Sequence, residues 1–147
     1  MTTNAHRRTL GPGRLLAAVY TLFAISAGAR AIFQIATKFS HAPAAYTLSA
    51  LAAAIYLLAA LCFTRPSGAS WRTAVTALSV EFAGVVIVGT LSVVQHSWFP
   101  DTTVWSDYGV GYGFVPVILP IIGLLWLRRP ATRIAFGEVT SGAAHRR

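Results

Sequence analysis

The chain has 147 residues, of which 55% are hydrophobic and only 11% are charged. About a quarter of the residues of soluble domains are charged, so this composition excludes an ordinary soluble domain and indicates a membrane protein. The formal net charge of +8 could suggest a nucleic-acid ligand. Basic residues that flank apolar segments are first of all determinants of membrane topology, so we expect no nucleic-acid partner.

Four apolar segments follow one another along the chain, each about as long as a bilayer is thick. The predicted spans cover 14–37, 44–63, 73–94 and 110–127. The flanking segments 1–13 and 129–147 are basic and polar, and we predict that both are disordered tails. The predicted fold is therefore an all-α transmembrane bundle of four helices within 14–128. The single cysteine, Cys62, excludes an intramolecular disulfide.

The predicted fourth span has an unusual content of glycine and proline. Gly111 and Gly113 near its start predict close packing of the beginning of the helix. Pro116 and Pro120 are four residues apart and share one helical face, which predicts a kink packed against neighbouring helices.

Orientation follows from the distribution of basic residues, which are retained on the cytoplasmic side. With the N-terminus inside, the outer loops carry only Lys38 among the basic residues, together with Asp101 and Asp107. We therefore predict cytoplasmic termini and a multi-pass protein of the cytoplasmic membrane. Anionic lipids are the expected partners of the basic residues after the fourth span, which are Arg128, Arg129 and Arg133.

The first span admits an alternative interpretation as a signal peptide. Arg7, Arg8 and Arg14 precede an apolar stretch that ends in Ala27-Gly28-Ala29, an A-x-A type of cleavage site. The apolar run continues beyond Ala29, however, which favours a full span.

Arg30 and Glu81 are ionisable residues inside predicted spans, where they are costly unless they face other helices, water or a partner. Together with Gln34 and Gln95 they form a candidate intramembrane polar site. Arg30 and Glu81 could pair with each other, or Arg30 could extend outwards to headgroups or to Asp107. A proton- or ion-coupled site is the functional alternative.

The longest loop, QHSWFPDTTVWSD, joins the third and fourth spans at the outer surface. Its candidate surface residues are His96, Trp98, Asp101, Trp105, Asp107 and Tyr108. They are typical of an interfacial loop, and a partner-binding surface is the alternative. A histidine with carboxylates could bind a metal, but the spacing matches no standard ligand set, and we predict no metal, cofactor or catalytic residue.

Val110-Gly111-Tyr112-Gly113 resembles the selectivity filter of potassium channels. No apolar pore helix precedes it, and only about 14 residues separate Gly113 from Arg128, too few for an outer helix, which argues against a channel. The same glycines do not form a dinucleotide fingerprint, because no strand precedes them.

The stretches ARAIFQIATKF, VEFAGVVIVGTLS and FPDTTVWSDYGVGYGFVPVILPIIGLLWL resemble uncharacterised four-helix integral membrane proteins of actinobacteria, mycobacteria included. The resemblance implies a membrane location and brings no activity. Small multidrug transporters are similar in size, but their membrane glutamate is in the first helix rather than the third. The chain also resembles the DoxX-like membrane proteins, which have four spans and a basic residue late in the first helix.

The leading functional hypothesis is a non-enzymatic bundle that assembles with itself or with another envelope protein through small-residue helix faces and the outer loop. The alternative is an oligomeric proton- or ion-coupled transporter that uses Glu81 and Arg30. A membrane enzyme acting on lipid is a third hypothesis.

Overall fold

The computed structural model describes the backbone of residues 2–138 and the side chains of residues 11–138. Within these limits the chain is all-helical and contains no strand, so the all-α part of the predicted fold class is confirmed. The α-helices are α1 (Thr2–Lys38), α2 (Pro43–Thr64), α3 (Gly68–Val94), α4 (Val115–Leu127) and α5 (Pro130–Ala135). Short 3₁₀ segments lie at Phe39–His41, His96–Trp98 and Ser106–Tyr112.

Three stretches of helix are long and apolar enough to cross a membrane: Gly11–His41, Pro43–Thr64 and Gly68–Val94. The 13 residues of α4 extend only about 20 Å, less than the roughly 30 Å hydrocarbon core. Combined with Ser106–Tyr112, to which it is joined at a bend of 96°, α4 would make a broken fourth span. The described chain therefore has three to four helices that could span a membrane.

The predicted fourth span began at Val110, whereas α4 begins at Val115. Gly113 and Phe114 adopt left-handed backbone angles, with φ of 64° and 61°, which separate α4 from the preceding 3₁₀ segment. Gly109 is also left-handed, and a Cβ there would lie 2.7 Å from Cγ of Pro116. Glycines thus turn the chain before α4.

The two prolines of α4 occupy different positions in the helix. Pro116 lies in the first turn, where the missing N–H would have no helical partner, and Pro120 lies inside the helix. Both prolines are fully buried against neighbouring elements.

α1 and α2 form the most extensively packed pair of helices in the described chain. The buried face of α2 repeats every three or four residues and is built of small and aromatic side chains. Its members include Ala45, Ser49, Ala52, Tyr56, Ala59 and Phe63. Small side chains let the two helices approach closely, while the rings of Tyr56 and Phe63 contact α1, and Phe63 also contacts Trp126 of α4.

The start of α3 is fixed by local hydrogen bonds. Ser67 caps the helix, because its hydroxyl accepts a hydrogen bond from the backbone N–H of Ser70 at 3.0 Å. One turn later the indole N–H of Trp71 donates to the carbonyl of Leu127 at 2.9 Å. That carbonyl ends α4 and has no helical donor, so the contact ties the two helix ends together.

The ends of the described chain differ from the predicted tails. The backbone of α1 is helical from Thr2, within the segment 1–13 that was predicted to be disordered. The predicted tail 129–147 contains α5, in which Thr132 is buried. Phe136 is also buried, and Glu138 forms a salt bridge with Arg72 at 3.2 Å. Apolar burial and an ion pair therefore order residues 130–138, and residues 139–147 lie outside the described part.

Candidate functional site

Glu81 lies near the midpoint of the 27-residue α3 and is completely buried. Its Oε2 accepts a hydrogen bond from the hydroxyl of Tyr20 on α1 at 2.7 Å. Its Oε1 is buried and has no hydrogen-bond partner among the described residues. A carboxyl group placed in an apolar interior without a cation is much less costly when it carries a proton.

Tyr20 belongs to an aromatic cluster beside this carboxyl group. The ring of Tyr20 lies 6.0 Å from that of Tyr56 and 5.8 Å from that of Phe63, measured between centroids. Tyr20 and Tyr56 are fully buried. The site is therefore a carboxyl group of α3 packed at an aromatic cluster whose rings come from α1 and α2.

The loop between α3 and α4 reaches this cluster through Trp105. Its indole N–H donates to the hydroxyl of Tyr56 at 3.0 Å. The ring lies against Gly84 of α3, where a Cβ would be 2.6 Å from the nearest ring atom. Gly84 follows Glu81 by three residues, so the indole contacts α3 within one helical turn of the carboxyl group. Only glycine leaves room for it.

Arg30 does not contact Glu81. Its guanidinium donates to the hydroxyl of Tyr112 at 3.3 Å and to the hydroxyl of Thr102 at 3.2 Å. Of the alternatives left open for Arg30, the structure shows neither an ion pair with Glu81 nor a contact with Asp107. Tyr20 precedes Arg30 by ten residues on α1, about 15 Å along the axis, so the helix brings a phenol to the level of Glu81.

The other predicted members of the intramembrane polar site are also separated. Gln34 is 4% exposed, and its Oε1 is buried without a partner among the described residues. Gln95 lies at the end of α3, where its side-chain amide is exposed and reaches Ser97 at 3.5 Å. The four predicted residues do not form one site, because helical positions set them at different depths.

A second polar cluster forms around Asp101, where the end of α1 meets the start of α2. Its Oδ2 accepts hydrogen bonds from Lys38 at 3.1 Å and from Tyr46 at 3.0 Å, and its Oδ1 accepts from the backbone N–H of Thr102 at 2.9 Å. Partial burial opposes ionisation, but these hydrogen bonds outweigh it and hold the pKa of Asp101 below its ordinary value.

Part of the predicted loop surface packs against α3. Trp105 is 2% exposed, and the backbone N–H of Asp107 donates to the hydroxyl of Ser92 at 2.8 Å. The hydroxyl of Tyr108 lies 2.9 Å from that of Thr90, and its ring lies against Gly89. Small and hydroxylated residues of α3 thus receive the loop.

Three of the predicted loop residues are exposed, and one of them is Tyr108, at 37%. Trp98 is 62% exposed. His96 is also exposed, with its Nδ1 3.3 Å from the carbonyl oxygen of Ser92. In residues 11–138 no group of three histidine, cysteine or acidic side chains could hold a metal ion.

Sequence reasoning did not single out Tyr20 and Tyr56 as site residues. A signal was present, because a buried tyrosine needs a hydrogen-bond partner for its hydroxyl, and few polar groups exist inside the spans. The sequence carried no comparable signal for the contact between Gly84 and Trp105, because that contact depends on the path of the loop.

The fold places this chain in the class of all-helical proteins with three to four helices able to cross a membrane. Comparison with protein-family models, curated proteins and solved structures finds no match to this chain.

Proposed function

We propose that this chain is a four-span protein of the cytoplasmic membrane with both termini in the cytoplasm, and that it acts without enzymatic chemistry by assembling with itself. The predicted topology is supported by the basic residues that flank the apolar helices. Membership of the small four-helix membrane proteins of actinobacteria is part of the same proposal, and rests on the resemblance in sequence.

The observation that carries this proposal is a shallow groove on the outer face of α1 and α2. The groove has a volume of about 300 Å³ and is lined by Ala24, Ile25, Gly28, Ala53, Ala54 and Leu57. Ile25 and Leu57 are 66% and 53% exposed and project on the surface around smaller residues. The surface therefore combines small side chains with large projecting ones.

Helix association in a bilayer depends on close packing, because lipid tails are as apolar as leucine side chains. Small residues let two backbones approach, and projecting aliphatic side chains of one copy fill the groove of the other. A two-fold arrangement would present the same groove and the same projections from both copies, which is the commonest symmetry of soluble homo-oligomers.

Filling the groove tests the assembly. In Gly28→Leu the new Cβ would lie 3.8 Å from Cβ of Ala53, an ordinary contact, so the helix pair is expected to form while the groove is blocked. We expect wild-type protein to behave as a dimer or larger oligomer in nanodiscs, and Gly28→Leu to shift towards the monomer by about tenfold in dissociation constant.

Ala83→Leu is the matched control, since Ala83 is exposed on α3 near its midpoint and outside the groove. Mass photometry or cross-linking would report the oligomeric state of both variants. Monomeric wild-type protein would contradict the proposal, as would an equal effect of both substitutions.

Proton coupling at Glu81 is a second candidate function, favoured by the buried Oε1 that lacks a partner among the described residues. A carboxyl group with one free oxygen can accept or release a proton if the surrounding helices admit water. Arg30 no longer supplies a balancing charge in this version of the hypothesis, because it contacts Thr102 and Tyr112.

Proton flux into proteoliposomes with a trapped pH dye tests this second candidate. Flux that disappears in Glu81→Gln but persists in Arg30→Gln would support it. Equal flux in wild-type protein and Glu81→Gln would contradict it. The oligomer measurement and the flux measurement are independent, so each hypothesis can fail alone.

A further inference from the structure

Trp126, near the end of α4, lines two adjoining hollows at the end of the bundle that carries the described termini. The first is a cavity of about 390 Å³, in which the other lining residues include Arg14, Ala17, Phe63, Thr64 and Phe136. Three of the lining residues are aromatic and pack together. The ring centroid of Trp126 lies 5.8 Å from that of Phe63 and 6.0 Å from that of Phe136. Its volume falls within the range of small-molecule sites.

The second hollow is a groove of about 400 Å³ between α1 and α4. Leu15, Ile122 and Leu125 line it and are 66%, 52% and 61% exposed, so it opens on the apolar outer surface of the bundle. Arg129 lines the same groove. An aliphatic chain in this groove would meet branched apolar side chains, and its polar end would meet a guanidinium.

Trp126 is held in place between these hollows by Gly13 of α1. A Cβ at Gly13 would lie 2.8 Å from Cη2 of the indole, so the ring lies directly against the helix backbone. Tryptophan is favoured at the depth where the apolar core of a bilayer meets the headgroups. The two hollows thus lie at the level expected for a lipid headgroup and the first part of its chain.

This end of the bundle carries more arginine side chains than carboxylates. The chain has only four acidic residues. Glu81 is buried in the middle of α3, Asp101 and Asp107 lie in the loop between α3 and α4, and Glu138 pairs with Arg72. Within the described part of the chain, Arg14 and Arg129 therefore have no carboxylate partner.

We propose that these hollows bind one anionic phospholipid, with its phosphate held by Arg14 and Arg129 and one acyl chain along Leu15, Ile122 and Leu125. Arginine is suited to phosphate because its planar fork donates two parallel hydrogen bonds. This site is narrower than the general attraction of Arg128, Arg129 and Arg133 for anionic lipid. It shares with the proposed function only the premise that the chain lies in a bilayer.

The proposal is tested with purified full-length protein in neutral detergent, titrated with dioleoyl phosphatidylglycerol and separately with dioleoyl phosphatidylcholine. Phosphatidylglycerol is expected to raise the midpoint of thermal unfolding saturably, and phosphatidylcholine is not. In the double variant Arg14→Gln/Arg129→Gln, half-saturation should require about tenfold more phosphatidylglycerol or more, because two charge-assisted hydrogen bonds are removed.

The matched control is Arg65→Gln/Arg128→Gln, which removes the same charge from the same end without touching either hollow. Its half-saturation should stay within about twofold of wild type. Equal weakening of phosphatidylglycerol binding in both double variants would mean that basic residues attract the lipid without a defined site, and would overturn the proposal. Stabilisation by glycerol 3-phosphate alone would also overturn it, because the ligand would then be a soluble phosphate.

A measurement on wild-type protein decides the matter if the double variant does not fold. Native mass spectrometry after incubation with equimolar phosphatidylglycerol and phosphatidylcholine should show one retained phosphatidylglycerol per chain. Equal retention of the two lipids would contradict the proposal.

Discussion

Glu81 and Asp101 are both carboxyl groups that accept a hydrogen bond from a tyrosine, yet their surroundings are opposite. Glu81 lies in the middle of α3, where its carboxyl group accepts a hydrogen bond from the phenol of Tyr20 at 2.7 Å. Among the described residues, no basic side chain forms a salt bridge with it. Asp101 is 23% exposed and meets Lys38 in a salt bridge of 3.1 Å. One carboxyl group lies beside an aromatic cluster, and the other lies where a helix end meets a loop.

The difference shows how this bundle distributes polarity with depth. Ionised side chains meet opposite charge or polar atoms at the ends of the helices, where water can screen them. In the middle of the bundle a phenol replaces the cation, which avoids placing a full charge in the apolar interior. The loop connects the two regions, because it carries Asp101 at one level and Trp105 at the other.

The largest expected effect comes from removing the space that admits Trp105. In Gly84→Leu the first added atom would lie 2.6 Å from the indole, so the ring must leave its position beside α3. We expect the free energy of unfolding to fall by about 3 kcal/mol, since overpacking adds to the loss of the indole hydrogen bond. Unfolding in sodium dodecyl sulfate mixed micelles, followed by near-ultraviolet circular dichroism, measures it.

Ala83→Leu again serves as the control, because it adds the same atoms to the exposed side of α3. Its free energy of unfolding should change by less than about 0.5 kcal/mol. Similar losses in both variants would mean that the indole position beside Gly84 does not support the loop.

A smaller effect is expected from the hydrogen bond between Tyr20 and Glu81. Tyr20→Phe leaves the carboxyl group without its donor and should lower the free energy of unfolding by about 1 kcal/mol, as for interhelical hydrogen bonds in bilayers. In a double-mutant cycle with Glu81→Gln the two effects should not add. The effects of Arg30→Gln and Glu81→Gln on the free energy of unfolding should add to within about 0.5 kcal/mol. A larger coupling energy would mean that Arg30 and Glu81 do interact.

The sequence contained enough to predict the apolar helices, because long apolar stretches with at most one charged residue between basic flanks form helices in a bilayer. It did not contain the partner of Glu81. Arg30 and Tyr20 both lie on α1, and only the depth at which α1 packs against α3 decides which of them meets the carboxyl group. That depth depends on the loop and on the close approach of α1 and α2.

The effect of Asp101 should be smaller still and should depend on pH. Its pKa is lowered in the folded protein, so its stabilising contribution is present above the unfolded pKa of about 3.9 and is lost as the pH falls below that value. Wild-type protein should therefore unfold at a slightly higher temperature than Asp101→Asn at pH 7, and the gap should close below about pH 4. A gap that widens with acidification would contradict the ionised state of Asp101.

The loop between α3 and α4 was the least predictable region. Its aromatic and acidic residues indicated an interface, but the composition did not distinguish side chains that face the headgroups from those that enter the bundle. Asp107, Tyr108 and Phe114 have positive φ angles of 50°, 59° and 61°, in a region where residues other than glycine are uncommon. Packing against Gly84 and Gly89, rather than local preference, sets this path.

The smallest expected effect is that of Trp98, which shares the loop with Trp105 but is 62% exposed. Trp98→Ala should change the free energy of unfolding by less than about 0.5 kcal/mol, because an exposed side chain away from caps and networks contributes little to the isolated fold. The same mixed-micelle unfolding measures it in protein held monomeric at low concentration. A loss above about 1 kcal/mol would mean that the indole packs against the rest of the chain, and the contrast between the two tryptophans would then be wrong.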